Sequence, residues 1–408
     1  MRGPALALVG LLAAASTTYA DVVSDWNVIA LNAAPAGQGY PNTRMLAMMH
    51  AAIFEAVNSI ERKYVPYVPE ARVLAGASRD AAASSAAHAV LVALLPGQRA
   101  AFDADLGASL ASVEDSRSKA EGIAIGQRAA SRILALKAND GHLREVPFAL
   151  AAPGDGVWQL TPHFPQPLLT QWRLMTPLVL RSAAQFDPGG PTSLASEQWV
   201  KDYNEVKSLG GRTSKTRSAD QTAAAIFWTI QTQVPWYAAA RAAVAAHGLG
   251  VVDSARLFAL MGMALHDAQI TVVEQKYRYN FWRPYTAIRN RRGPGNPALE
   301  SDSSWEPLIN TPGFPEYPSS HCMLSGAAAE VLRSVLGSDK VDVSVMSPPL
   351  IGVTRSWSSF TQMNREVENA RVWGGIHYRT SDEHGTQTGR RIGEWAVKNY
   401  LRPIESGQ

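Results

Sequence analysis

Cysteine is nearly absent: Cys322 is the only one in 408 residues, so no internal disulfide can form and no thiolate metal cluster can be built. Charge is sparse as well, with 18% charged residues, a net charge of +3 and no long Lys/Arg run, which argues against nucleic acid as the main partner. Past the N-terminus no stretch of about 18 uninterrupted apolar residues occurs, which argues against a membrane-embedded body. Strand-like alternation is scarce and no internal repeat stands out.

What is present begins with a leader. Arg2 supplies a short positive region, Ala5 to Ala15 an apolar stretch too short to span a bilayer, and Thr18-Tyr19-Ala20 a small-residue cleavage site. This pattern predicts a secretory signal over 1–20, a mature chain from Asp21, and a protein exported to the periplasm or secreted. With 46% hydrophobic residues the remainder can bury a large core. We expect one all-α unit over 21–408, with an N-terminal helical half at about 21–150, an irregular excursion at about 148–190 and a functional half at about 250–400.

Helical periodicity dominates. Met45, Met48, Met49, Ile53 and Val57 fall on one face of Thr43 to Ile60, and the Ala-rich runs Asp80 to Leu95 and Arg117 to Lys137 are similar. Helical pattern returns at Ser193 to Val206, Thr222 to Gln233 and Ser254 to Lys276. Prolines and glycines interrupt Phe148 to Gly190 and again Asn290 to Pro318, predicting irregular segments laid over the helices.

Three pieces of the C-terminal third carry chemistry. Lys276 and Arg283 are seven residues apart: on a continuous helix they share a face, whereas Pro284 disfavours helix at Arg283 and puts the second cation at a frayed end or on the next loop. In Pro318-Ser319-Ser320-His321, Ser319 stands where the N-cap of a helix from Cys322 to Leu336 belongs, with Gly337 closing that helix. Amides at such a terminus, together with roughly half a positive charge, favour an oxyanion, and His321 projects from the same turn. In the third piece, a helix from Asn364 to Trp373 ends at Gly374-Gly375, a turn that returns His377 toward Arg371. Each piece has a bland reading: a solvated cationic face, simple capping, a core histidine. Together, three permanent cations, hydroxyls, amides and two imidazoles suit a tetrahedral oxyanion.

The order Lys-x6-Arg-Pro, Pro-Ser-x-His, Arg-x5-His resembles the vanadium-dependent haloperoxidases and the type 2 phosphatidic acid phosphatase superfamily that shares their site. The likeness covers 276–377, and Asp25-Trp26-Asn27 with His50-Ala51-Ala52 resembles the exported bacterial branch. It implies a pair of helical bundles, and vanadate held by Lys276, Arg283, Ser319, Ser320 and Arg371. His377 would ligate the vanadium and His321 would be the acid–base group. Lys276 would polarise peroxide, and the implied partners are hydrogen peroxide, a halide and possible small organic acceptors. The same cage accepts phosphate, so an acid phosphatase working through a phosphohistidine on His377 is the first alternative. A repurposed, non-catalytic anion-binding helical protein is the second.

Two positions depart from the family pattern. Ser320 stands where the family usually has Gly, adding a Cβ beside the anion. The family often has an acid four residues after the ligating His to orient its other ring nitrogen; here Ser381 is at that place and Asp382 one later. Phe314 matches an apolar residue of the halide pocket in chloride-oxidising members or is an ordinary core residue, and Val273 stands where those members have Trp. His266-Asp267 is read as core hydrogen bonding, His50 as a structural position in the first helix, and His384 with Asp382-Glu383 as a poor metal set. No Gly-x-Ser-x-Gly elbow accompanies Ser319, which argues against a serine hydrolase.

Overall fold

The computed structural model describes residues 21–34, 41–69, 76–162, 164–290 and 299–404. The leader and its cleavage site therefore lie outside the described residues. Serine caps open many of the helices. The N-terminal half holds α1 (Val22–Ala33), α2 (Pro41–Glu61), α3 (Arg79–Leu94), α4 (Arg99–Ala111) and α5 (Arg117–Leu136). Ser78 and Ser116 accept first-turn amides of α3 and α5. α3 and α5 touch through small residues: a Cβ on Gly126 would stand 2.3 Å from the Ala82 carbonyl oxygen.

Next come α6 (Glu197–Gly210), α7 (Ala219–Phe227) and α8 (Gln233–His247). The helix expected over 222–233 is thus two helices, since the chain leaves helical geometry after Phe227 and turns through 228–232. The carbonyls of that turn are used at the site described below.

The long central helix is α9 (Val251–Tyr279), 29 residues and about 43 Å. It is buried on nearly all sides because α2 covers one face while the C-terminal helices cover another. After it follow α10 (Pro284–Arg289), α11 (Ser320–Leu336), the strands β1 (Lys340–Met346) and β2 (Thr354–Ser359), α12 (Phe360–Trp373) and α13 (Arg379–Asn399). The strands pair antiparallel, Val343 opposite Trp357, an element that the sequence pattern did not announce. α12 starts four residues earlier than expected, where Ser359 accepts the Gln362 amide. α11 packs most extensively against α13, which turns Gly385, Gly389 and Gly393 toward it.

Residues 138–196 carry little regular structure beyond the short 3-10 turn Trp172–Leu174, as the Pro/Gly content predicts. They are pinned by α9: the Asp267 carboxylate accepts the amides of Leu178 (2.7 Å), Val179 (2.7 Å) and Leu180 (2.8 Å). His266 corrects the expectation made for it, since neither ring nitrogen has a hydrogen-bond partner among the described residues; its ring instead lies edge-on to Trp172. His50 sits in α2, not the first helix, with Nε2 2.9 Å from Asn27 Nδ2. Farther along, Trp158 and Trp282 exchange backbone bonds with Asn280 and Gly156, so the excursion braces the segment just after α9. Among the described residues no single helix is long and apolar enough to cross a membrane.

Candidate oxyanion site

Lys276 lies one turn before the end of α9, which stops because Asn280 adopts a left-handed φ of 49° and caps it. Arg283 is the extended residue before Pro284, at φ −82° and ψ 154°, and Pro284 opens α10. The continuous-helix reading of this pair therefore fails, yet the cations still meet. Each charged end stands 5.2 Å from the centroid of the Phe314 ring.

The segment 314–318 wraps both. Lys276 Nζ donates to the carbonyls of Pro315 (3.2 Å), Glu316 (2.6 Å) and Pro318 (2.5 Å), which uses all three ammonium hydrogens. Arg283 donates from Nε to Phe314 O (3.0 Å) and from Nη1 to Ile376 O (2.8 Å). Burial, then Arg283, pushes the Lys276 pKa well below the usual lysine range, against the pull of Glu316 and Asp382.

Ser319 is the N-cap of α11, but its side chain makes no capping bond to the first turn. The first-turn amides are therefore not satisfied by it. The Ser320 hydroxyl is buried and has no hydrogen-bond partner among the described residues. A buried hydroxyl left unpaired beside cations is what a bound oxyanion would satisfy.

Arg371 sits in the last turn of α12 and donates from Nη1 to Trp228 O at 2.6 Å. The Gly374-Gly375 turn follows, with Gly375 at φ 78° against the end of α6; a Cβ there would stand 2.4 Å from Gly210 O. His377 is thereby delivered to the cage. Its Nδ1 is 2.7 Å from Glu316 Oε1, and its Nε2 is 3.3 Å from Arg283 Nη1. Oε1 also accepts the Tyr378 amide at 3.2 Å, and Arg283 Nη1, which can only donate, makes Nε2 the acceptor of their contact. The hydrogen therefore sits on Nδ1, and the Nε2 lone pair faces the cations. Burial and then Arg283, Lys276, Arg371 and His321 hold the His377 pKa well below the usual histidine value, which keeps the ring neutral.

His321, the second residue of α11, places Nε2 3.3 Å from Ile230 O, so the 228–230 turn contributes a carbonyl to each of Arg371 and His321. The structure thus brings Lys276, Arg283, Arg371 and His321 within electrostatic reach of His377. Sequence reasoning missed Glu316, Trp228 and Ile230. The acid at His377 comes not from the residues after it but from three residues before Ser319, on the other segment. Asp382 does not face His377: it accepts the Cys322 thiol at 3.2 Å. His384 Nδ1 pairs with Tyr317 Oη at 2.6 Å, and Val273 is buried in α9.

The family model for the VCPO second helical-bundle domain matches residues 256–406. The vanadium chloroperoxidase of Curvularia inaequalis is 31% identical over 180 residues; that match covers 36% of this chain and 29% of the relative, well under two thirds of its length. Among solved structures, that of a bacterial vanadium-dependent iodoperoxidase is similar over 95% of this chain and 96% of its own, with TM-score 0.78 and 26% identity. An apo-type bacterial vanadium-dependent chloroperoxidase has the same fold, with TM-score 0.71 and 18% identity over 90% of this chain and 94% of its own. Motif order, helical architecture and these likenesses agree: over 256–406 the chain matches the VCPO second helical-bundle domain, and as a whole it is similar in fold to the bacterial vanadium-dependent haloperoxidases.

Proposed function

We propose that the protein binds vanadate in this cage and oxidises a halide with hydrogen peroxide, taking up one proton and giving hypohalous acid and water. The observation that carries the reading is the neutral His377 ring, whose Nε2 lone pair faces Arg283 while Nδ1 is held by Glu316. A lone pair directed at Arg283, on a ring that also feels the charges of Lys276 and Arg371, serves an electrophilic centre carried by an anion. The donor set fits: two guanidiniums, an ammonium, a buried unpaired hydroxyl and uncapped helix amides. When bound, vanadate supplies the Lewis acid that makes peroxide electrophilic toward halide.

The chain's own groups divide the remaining work. Arg283 and Arg371 neutralise the anion and fix its orientation, each anchored by a backbone carbonyl. Lys276 contributes a buried donor and, to donate to a bound oxygen, exchanges one of its three carbonyls. His321, with Nε2 3.3 Å from Ile230 O, would be the acid–base group beside the bound anion. The secretory signal expected over 1–20 would put this chemistry outside the cytoplasm.

The test is halogenation of a phenol dye with peroxide and bromide or iodide, before and after adding orthovanadate, with p-nitrophenyl phosphate hydrolysis alongside. Halogenation that needs vanadate is the expected result. Ester hydrolysis inhibited by vanadate, without halogenation, would replace this reading with a phosphatase.

A further inference from the structure

Glu316 is fully buried and tied at three points. Its amide donates to Phe281 O at 2.9 Å, its carbonyl accepts from Lys276 at 2.6 Å, and its Oε1 accepts His377 Nδ1 at 2.7 Å. It links the segment that carries Lys276 and Arg283 to the ring facing them. The place four residues after His377, from which the first turn of α13 could reach back to that ring, holds Ser381, and the next residue, Asp382, is engaged with Cys322. The loop and that turn run side by side, since the Ser319 amide donates to Ser381 O at 3.2 Å. A carboxylate from either side can therefore reach the same imidazole.

We infer that Glu316 is the positioning residue for His377: supplied by the loop before α11, it does the orienting work that a carboxylate at position 381 would otherwise do. A carboxylate accepting from Nδ1 selects one tautomer, stops rotation of the ring and makes Nε2 a better electron-pair donor. The second bond to Oε1, from the Tyr378 amide, fixes the direction from which the carboxylate approaches. Losing the acid frees the ring to carry its hydrogen on Nε2, facing Arg283, where it can no longer ligate. The effect on an anion then depends on whether that anion takes a bond from the imidazole. Vanadate expands to five ligands and takes one; phosphate at equilibrium does not. The inference rests on the vanadate reading for its consequence, but its first part, the tautomer, belongs to the ligand-free protein.

The experiment is therefore in two arms on the full chain. Histidine-selective 15N spectra of ligand-free protein, with His377→Asn to identify the signal, report the His377 tautomer. The wild type shows the Nδ1–H form, and Glu316→Ala shows a mixture or the Nε2–H form; an unchanged tautomer in Glu316→Ala overturns the inference. Orthovanadate and inorganic phosphate titrations form the second arm. Glu316→Ala loses about 10- to 100-fold in vanadate affinity, phosphate affinity changes much less, and Glu316→Ala/Ser381→Asp regains most of the loss. Glu316→Gln, which keeps the shape and an acceptor oxygen, falls between. Equal loss of both anions, or no recovery from Ser381→Asp in a variant that melts cooperatively, also overturns it. A wild type with the Nδ1–H tautomer that binds no vanadate sinks the proposed function and leaves the tautomer assignment standing.

Discussion

Gly389 in α13 lies against Met323 in α11 so closely that a Cβ built on it would stand 1.9 Å from the Met323 carbonyl oxygen. Gly385 and Gly393 continue the stripe one turn either way, toward Ser319 O and Ala327 O. The stripe sets how near α13 comes to the start of α11, and thus where Ser319 and Ser320 stand relative to His377.

Gly389→Ala is accordingly an overpacking change against backbone, which cannot swing away. We expect a loss of about 3 kcal/mol, read by urea unfolding without ligand, and weaker orthovanadate binding in the fraction that folds. Stability equal to wild type would show that the helices can separate freely.

Arg283→Lys keeps the charge and discards the fork. The guanidinium spans Phe314 O, Ile376 O and the His377 ring, and an ammonium cannot hold that set from one point. Vanadate affinity is expected to drop by about 10-fold or more, equivalent to about 1.4 kcal/mol, measured by equilibrium titration; an unchanged affinity would mean that charge alone matters there.

Lys276→Met removes the donor shared by the carbonyls of Pro315, Glu316 and Pro318. Relief of a buried charge offsets part of the loss, and a net destabilisation of about 2 kcal/mol is expected. The readout is unfolding of vanadate-free protein, where a role confined to the bound anion predicts no change.

Acid sensitivity is expected to come in part from His50, far from the site in sequence. Its pKa is drawn down to about 3 by burial and then by Arg241, because Arg241 holds Asn27 Oδ1 while Asn27 Nδ2 donates to the ring. Above about pH 6.5 the ring is neutral in folded and unfolded chains alike. Below it the unfolded chain binds a proton that the folded one refuses, so this group costs about 1.4 kcal/mol per pH unit on acidification until the folded pKa is reached. His50→Phe keeps the ring contacts with Tyr237 and Phe258 and is expected to flatten the fall in stability between pH 6.5 and 4.5. An identical pH slope in the variant would assign the sensitivity elsewhere.

Much of this was legible locally. The caps Ser319 and Gly337, the Gly374-Gly375 turn and the break before Pro284 are short-range signals, and they place Lys276, Arg283, His321, Arg371 and His377 on helix ends. What was not legible is held by contacts distant in sequence. Glu316 meets His377 across 61 positions, and Trp228 O meets Arg371 across 143, so neither leaves a periodic trace. The Gly385-x3-Gly389-x3-Gly393 spacing is a local sign of close helix packing. The strands escaped because one hairpin of mixed residues at the end of α11 gives too little alternation to stand out.

The central claim is that His377 ligates vanadate to run halide oxidation. Its most direct measurement is the vanadate titration of halogenating activity, in wild type and in His377→Ala, with orthovanadate binding followed on the same samples. The account predicts activity that rises from near zero to saturation with vanadate in the wild type and is lost in His377→Ala while that variant still folds. Activity without vanadate, or vanadate-dependent activity that survives His377→Ala, would contradict it.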